Sequence, residues 1–95
     1  MLSFTVRMKF SDEDRPQVTE QLRSLSEASR KEPGCAYYLA HFLEDDPSYA
    51  VIYECYHDNA ALEAHRASQH FQKYAVGGLY QLMRERSVEN LTLVE

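Results

Sequence analysis

Histidine, glutamate and tyrosine are the side chains of this sequence that could move protons or hold a polar substrate. His65 is the strongest proton carrier, because an imidazole's ordinary pKa of about 6.5 lies near neutrality. It falls one helical turn from Ala61 and three residues from Leu62, so it shares their apolar face. Two readings stand for it: a satisfied core or rim histidine, or a general base turned into a cavity. Glu54 interrupts the aromatic and β-branched run Tyr49 to His57, on the face of Ile52 and Tyr56. A carboxylate there is costly to bury unless paired or hydrogen-bonded. It is either an edge glutamate paired to an arginine or a polar group in a cavity between sheet and helices.

Tyr38 and Tyr56 fall on inward-facing strand positions, where a hydroxyl can meet a phenol or quinone oxygen or the ring can simply pack. His41 shares the face of Tyr37 and Leu39, and a turn-proximal exposed histidine is its plainer reading. His57 ends a strand, and His70 precedes Phe71 at the start of a helical piece. No two histidines stand four apart on one helix, so spacing alone argues for no metal site. Gly77-Gly78 is neither a phosphate loop nor a dinucleotide fingerprint. Nucleophile signatures built on Ser-His-Asp or Cys-His are absent as motifs.

A net charge of −5, with no Lys/Arg run beyond Arg30-Lys31, leaves no basic face for nucleic acid. No apolar run approaches the roughly 18–20 residues that span a bilayer. Cys35 and Cys55 lie twenty apart without a CxxC spacing, too few for a secreted disulfide scaffold of this size. The expectation is a cytoplasmic protein with reduced thiols, binding neither nucleic acid nor membrane.

The elements that must position these groups follow from periodicity. Leu2 to Lys9 alternates as a half-buried strand. Ser11 to Asp14 offers capping side chains, and Val18, Leu22, Leu25 and Ala28 define a helix from about Arg15 to about Arg30, stopped at Gly34. Cys35 to Leu43 and Tyr49 to His57 form a hairpin across the turn Glu44 to Ser48. Asp58 caps a short helix, Ser68 caps a second bearing Phe71, Tyr74 and Ala75, and Gly77-Gly78 breaks it before Leu79 to Met83. Ser87 to Val94 closes the chain as a fourth strand. The order β-α-β-β-α-β is the ferredoxin-like split plan of an α+β domain over residues 1–95, with helices on one face of an antiparallel sheet. The strands are apolar or aromatic on both faces, so the helix-free face is expected to bury itself against a second copy in a homodimer.

Four segments in order resemble the antibiotic-biosynthesis monooxygenase family: Glu32-Pro33-Gly34-Cys35 with Tyr38 and His41 following, the turn Asp46-Pro47, the strand Tyr53-Glu54-Cys55-Tyr56, and Asp58 to Phe71. The resemblance implies small dimers with ferredoxin-like subunits, a dimeric α/β barrel. Several such proteins oxidise quinols or polycyclic phenols with dioxygen and no metal, flavin or haem; others degrade haem, and one group handles a phosphorylated signalling sugar. It also marks Glu54, His65, Tyr38, His41 and the segment Ser68 to Phe71 as cavity candidates. Tyr56 stands where the family usually has Trp, and the first strand has no Asn, so the haem-degrading branch is a poor match. The implied activity is a cofactor-free oxidation of a small aromatic phenol or quinol. His65 and Glu54 would be catalytic, Tyr38, His41 and Tyr56 would contact substrate, and Phe71 would wall the pocket. An isomerase and a non-catalytic dimeric binding or stress protein are the alternatives on the same fold.

Overall fold

A computed structural model of the chain describes residues 1–94. Its elements are β1 (Leu2–Lys9), α1 (Arg15–Arg30), β2 (Cys35–Phe42), β3 (Tyr49–Tyr56) and α2 (Asn59–Ala67). They are followed by a wide π-type helix, α3 (Phe71–Leu79), a last α-helical turn over Tyr80–Leu82, and β4 (Glu85–Leu91). The strands pair antiparallel throughout, in the order β2-β3-β1-β4. This is the ferredoxin-like α+β arrangement, with its second crossover built from two helical pieces.

The core lies between one face of the sheet and the helices. Phe4, Val6 and Met8 from β1 meet Ala50 and Ile52 from β3. Val18, Leu22 and Leu25 of α1, with Leu62 of α2 and Ala75 and Leu79 of α3, close over them. Each of the Val, Leu, Ile, Met and Phe side chains among them contributes about 1.5–3 kcal/mol when taken fully out of water. Among the described residues no helix is long and apolar enough to cross a membrane.

Three local expectations are corrected. No side chain caps α1; a short 3-10 turn over Asp12–Asp14 leads into it, with Asp14 N–H donating to the Ser11 carbonyl at 3.0 Å. The pair Gly77-Gly78 does not break α3. Gly78 is buried where a Cβ would stand 2.9 Å from the Gln21 side chain of α1, so the missing side chain lets two helices approach closely. The fourth strand begins at Glu85 rather than Ser87 and ends at Leu91, because Lys9 pairs with Glu85 and Ser3 with Leu91. All seven of its residues are exposed: it is an edge strand with no buried face, so alternation could not locate its ends.

A bulge at the start of β2 sets the site's register. Cys35 pairs with Tyr56 and Tyr37 with Cys55, leaving Ala36 over. From there Tyr38 stands opposite Glu54, on the helix-covered face.

Candidate active site

Asp58 fixes where α2 begins: its carboxylate accepts from the Ala61 backbone N–H at 2.8 Å. From that start Leu62 and His65 both turn inward, and His65 is only 2 % exposed. Its ring lies among aromatic rings, with centroids 5.1 Å from Tyr56, 5.6 Å from Tyr38 and 5.1 Å from the edge-on Phe71. Ser68 fixes Phe71 in turn, its hydroxyl accepting from the Phe71 backbone N–H at 3.2 Å. The strands therefore supply the floor, and the two helix caps set the roof.

Both nitrogens of His65 have a carboxylate nearby. Nδ1 lies 2.8 Å from Glu32 Oε2. A carboxylate only accepts, so Nδ1 carries the proton and Nε2 carries the lone pair. That Nε2 lies 3.8 Å from Glu54 Oε1, and the Tyr56 hydroxyl donates to the same Glu54 oxygen at 2.7 Å. His70 Nε2 also meets Glu32 Oε2 from the solvent side.

Burial lowers the pKa of His65, partly offset by its hydrogen bond to Glu32, and this favours the neutral ring. Burial pushes the Glu54 carboxyl up to about 7, against the pull of the Tyr56 hydroxyl and of Arg86 and Arg66. The Tyr38 and Tyr56 phenols are raised by burial first and by the Glu54 charge second, so both remain protonated donors.

A narrow cavity of about 40 Å³ opens beside this group, and Tyr38, Glu54, His65 and Phe71 line it. Tyr56 is buried behind Glu54 and does not line the cavity; it reaches the site through its hydroxyl. Arg66, Tyr80 and Arg86 complete the wall. His41 stands on the opposite face of the sheet, exposed, with Nδ1 3.2 Å from the Val51 carbonyl. The fold thus joins five of the six sequence candidates and leaves His41 outside.

Sequence reasoning missed Glu32 and His70 as parts of the cluster. Both fall inside the segments that carry the family resemblance. Their convergence on His65 depends on the α1–β2 connection meeting the α2–α3 turn, which no local spacing reveals.

The family model for antibiotic biosynthesis monooxygenase matches residues 1–76. The chain belongs to this family. A crystal structure of an antibiotic biosynthesis monooxygenase is similar over 100 % of both chains, at 28 % identity and a TM-score of 0.92. A provisional antibiotic biosynthesis monooxygenase from Bacteroides thetaiotaomicron is 27 % identical, with a TM-score of 0.91 over 99 % of this chain and 90 % of that one. A Pseudomonas aeruginosa protein is 26 % identical, with a TM-score of 0.90 over 99 % of this chain and 94 % of that one. No curated protein matches this sequence. Membership and these likenesses support a monooxygenase-type function in general terms.

Proposed function

We propose that this protein is a cofactor-independent monooxygenase that oxidises a small phenol or quinol with dioxygen. The observation that carries this reading is the fixed tautomer of His65. Glu32 holds the proton on Nδ1, which leaves the Nε2 lone pair beside Glu54 on the wall of an aromatic cavity. In this reading Nε2 takes the phenolic proton, and the phenolate passes one electron to dioxygen. The aryloxyl radical and superoxide then join as a peroxide at ring carbon. The peroxide regains the proton from His65, and the ring hydrogen leaves as a proton with the distal oxygen as hydroxide, together one water, so one phenol and one dioxygen give one quinone and one water. The protein orients the ring, removes the proton and excludes bulk water. Tyr38 donates to the substrate oxygen, and Glu54, steadied by Tyr56, polarises the His65 proton acceptor.

A cavity of about 40 Å³ takes water or dioxygen but not an aromatic ring, because small-molecule pockets run to about 300 Å³ or more. Substrate entry then requires the partly exposed Phe71 and Tyr80 to swing aside. The same narrowness favours a second reading, a dimeric binding or stress protein without turnover. The helix-free sheet face, where Tyr37 is 55 % and Leu39 43 % exposed, supports pairing with a second copy in either case. We place that dimer in the cytoplasm, with Cys35 and Cys55 reduced.

The test is dioxygen uptake by the metal-free protein against a panel of quinols and naphthols. Uptake coupled one-to-one to quinone formation supports the oxidation. Substrate conversion without dioxygen uptake would instead identify an isomerase, and no conversion across the panel would favour the non-catalytic reading.

A further inference from the structure

Three metal-ligating side chains converge on the outer side of His65, away from the cavity. Glu32 comes from the α1–β2 connection, His65 from α2 and His70 from the turn before α3. Glu32 Oε2, His65 Nδ1 and His70 Nε2 all lie within 4.8 Å of one another. Neither Glu32 nor His70 lines the cavity. We propose that these three residues form a binding site for one divalent transition-metal ion of the zinc class.

The distances suit such an ion. Zinc binds imidazole nitrogen and carboxylate oxygen at about 2.0–2.2 Å, which sets ligand atoms roughly 3–3.5 Å apart around it. Shifts of about an ångström or less bring the three groups to that spacing. Two imidazoles and one carboxylate select zinc, cobalt or nickel over magnesium and calcium, which prefer an all-oxygen shell. The Glu32 and His70 side chains are 15 % and 22 % exposed, so an ion can enter from solvent and water can fill the remaining position.

The surroundings of His65 also fit a ligand. A metal-binding histidine characteristically donates its other ring N–H to a carboxylate, which fixes the ring. A carboxylate stands close to that position: Nε2 lies 3.8 Å from Glu54 Oε1, outside hydrogen-bond distance in the metal-free protein, and the Tyr56 hydroxyl donates to the same oxygen. Tyr38, Tyr56 and Phe71 pack the ring in place. The double hydrogen bond from the two imidazoles to Glu32 is the metal-free form of the site. On binding, His65 changes tautomer: its one ring proton passes from Nδ1 to Nε2 by exchange with solvent, and the metal takes the Nδ1 lone pair thus freed, so the ring stays neutral.

The experiment strips the full chain with chelator and titrates it with Zn²⁺ by calorimetry, then with Co²⁺ by visible absorption. Expected are one ion per chain with a Kd of about 10 μM or tighter, tetrahedral cobalt bands, and no response to Mg²⁺. Glu32→Gln and His70→Ala should each weaken binding by at least about tenfold, since even the outer partners of metal ligands are worth about 10–100-fold, while the exposed His57→Ala changes nothing. In the folded wild-type protein, zinc should move the ring proton resonances of His65 and His70 and leave those of His41 and His57. No zinc binding by the wild type below about 1 mM, or binding that survives loss of both Glu32 and His70, overturns the proposal. These readouts are independent of any oxidation.

Discussion

His65 Nδ1 donates to Glu32 Oε2 at 2.8 Å across 33 residues of sequence. This one bond decides which nitrogen of His65 faces the cavity, and so whether the ring can accept a proton there. Replacing Glu32 by Ala frees both tautomers and leaves two imidazole N–H groups without their acceptor. In metal-free protein, kcat should fall by about tenfold or more with KM little changed. His65→Ala should cost about 100-fold or more, the range of a lost general base. Nitrogen NMR of the ring should show mixed tautomers in Glu32→Ala and one in the wild type. A single Nδ1–H tautomer persisting in the variant would remove Glu32 from its orienting role.

Gly34 and Ala61 are packed so closely that a Cβ on Gly34 would stand 2.3 Å from the Ala61 Cβ. Among the described residues no glycine has a positive φ, so Gly34 is required for approach rather than for turn conformation. Gly34→Ala must push the start of α2 away from β2, and overpacking of this kind costs about 1–3 kcal/mol. Urea unfolding should register that loss. The double variant Gly34→Ala with Ala61→Gly should recover part of it, because the two side chains compete for one space. Equal losses with and without the Ala61 change would show that the contact does not govern the packing.

That pair also shows what the sequence could and could not reveal. Gly34 was expected to stop α1, but the helix ends at Arg30 with Lys31 as its cap and Gly34 serves as a spacer, a role that needs the position of α2. Strand β1 and helix α1 were legible because one face of each is buried, and burial imprints a period of two on Phe4, Val6 and Met8 and of about 3.6 on Val18, Leu22 and Leu25, whereas β2 and β3 were legible from aromatic and β-branched runs on either side of a turn. Strand β4 carries no such imprint. The inward positions of Glu54 and His65 followed from the same periodicities, whereas the partners of His65 did not, since Glu32 reaches it through tertiary structure alone. His41 shows the converse: it belongs to a familiar motif, yet strand parity sends it to the other face of the sheet.

Zinc and the proposed oxidation should oppose each other. Metal on Nδ1 puts the remaining proton on Nε2, the nitrogen that would otherwise accept from substrate. Equimolar zinc should therefore slow dioxygen uptake with the best quinol by about tenfold or more, and chelator should restore it. His70→Ala, which keeps the Glu32–His65 bond, should blunt the inhibition. Acceleration by zinc would show that Nε2 is not the working base.

Cys35 offers a pH-dependent readout of the same carboxylates. Its thiol is pushed up to about 11, by burial first and then by the charges of Glu32 and Glu54. A thiol so raised stays neutral through the physiological range, and only the thiolate alkylates. Against an ordinary thiol of pKa 9.0, the thiolate fraction at pH 8 falls by about a hundredfold. Iodoacetamide labelling of Cys35, followed by mass spectrometry, should be slow at pH 8. It should then rise about tenfold per pH unit up to pH 9.5 without levelling. Glu32→Ala removes one of the two charges, so it should speed labelling at fixed pH. A rate that levels off near pH 9 in the wild type would mean that neither burial nor the two carboxylates raises the Cys35 thiol.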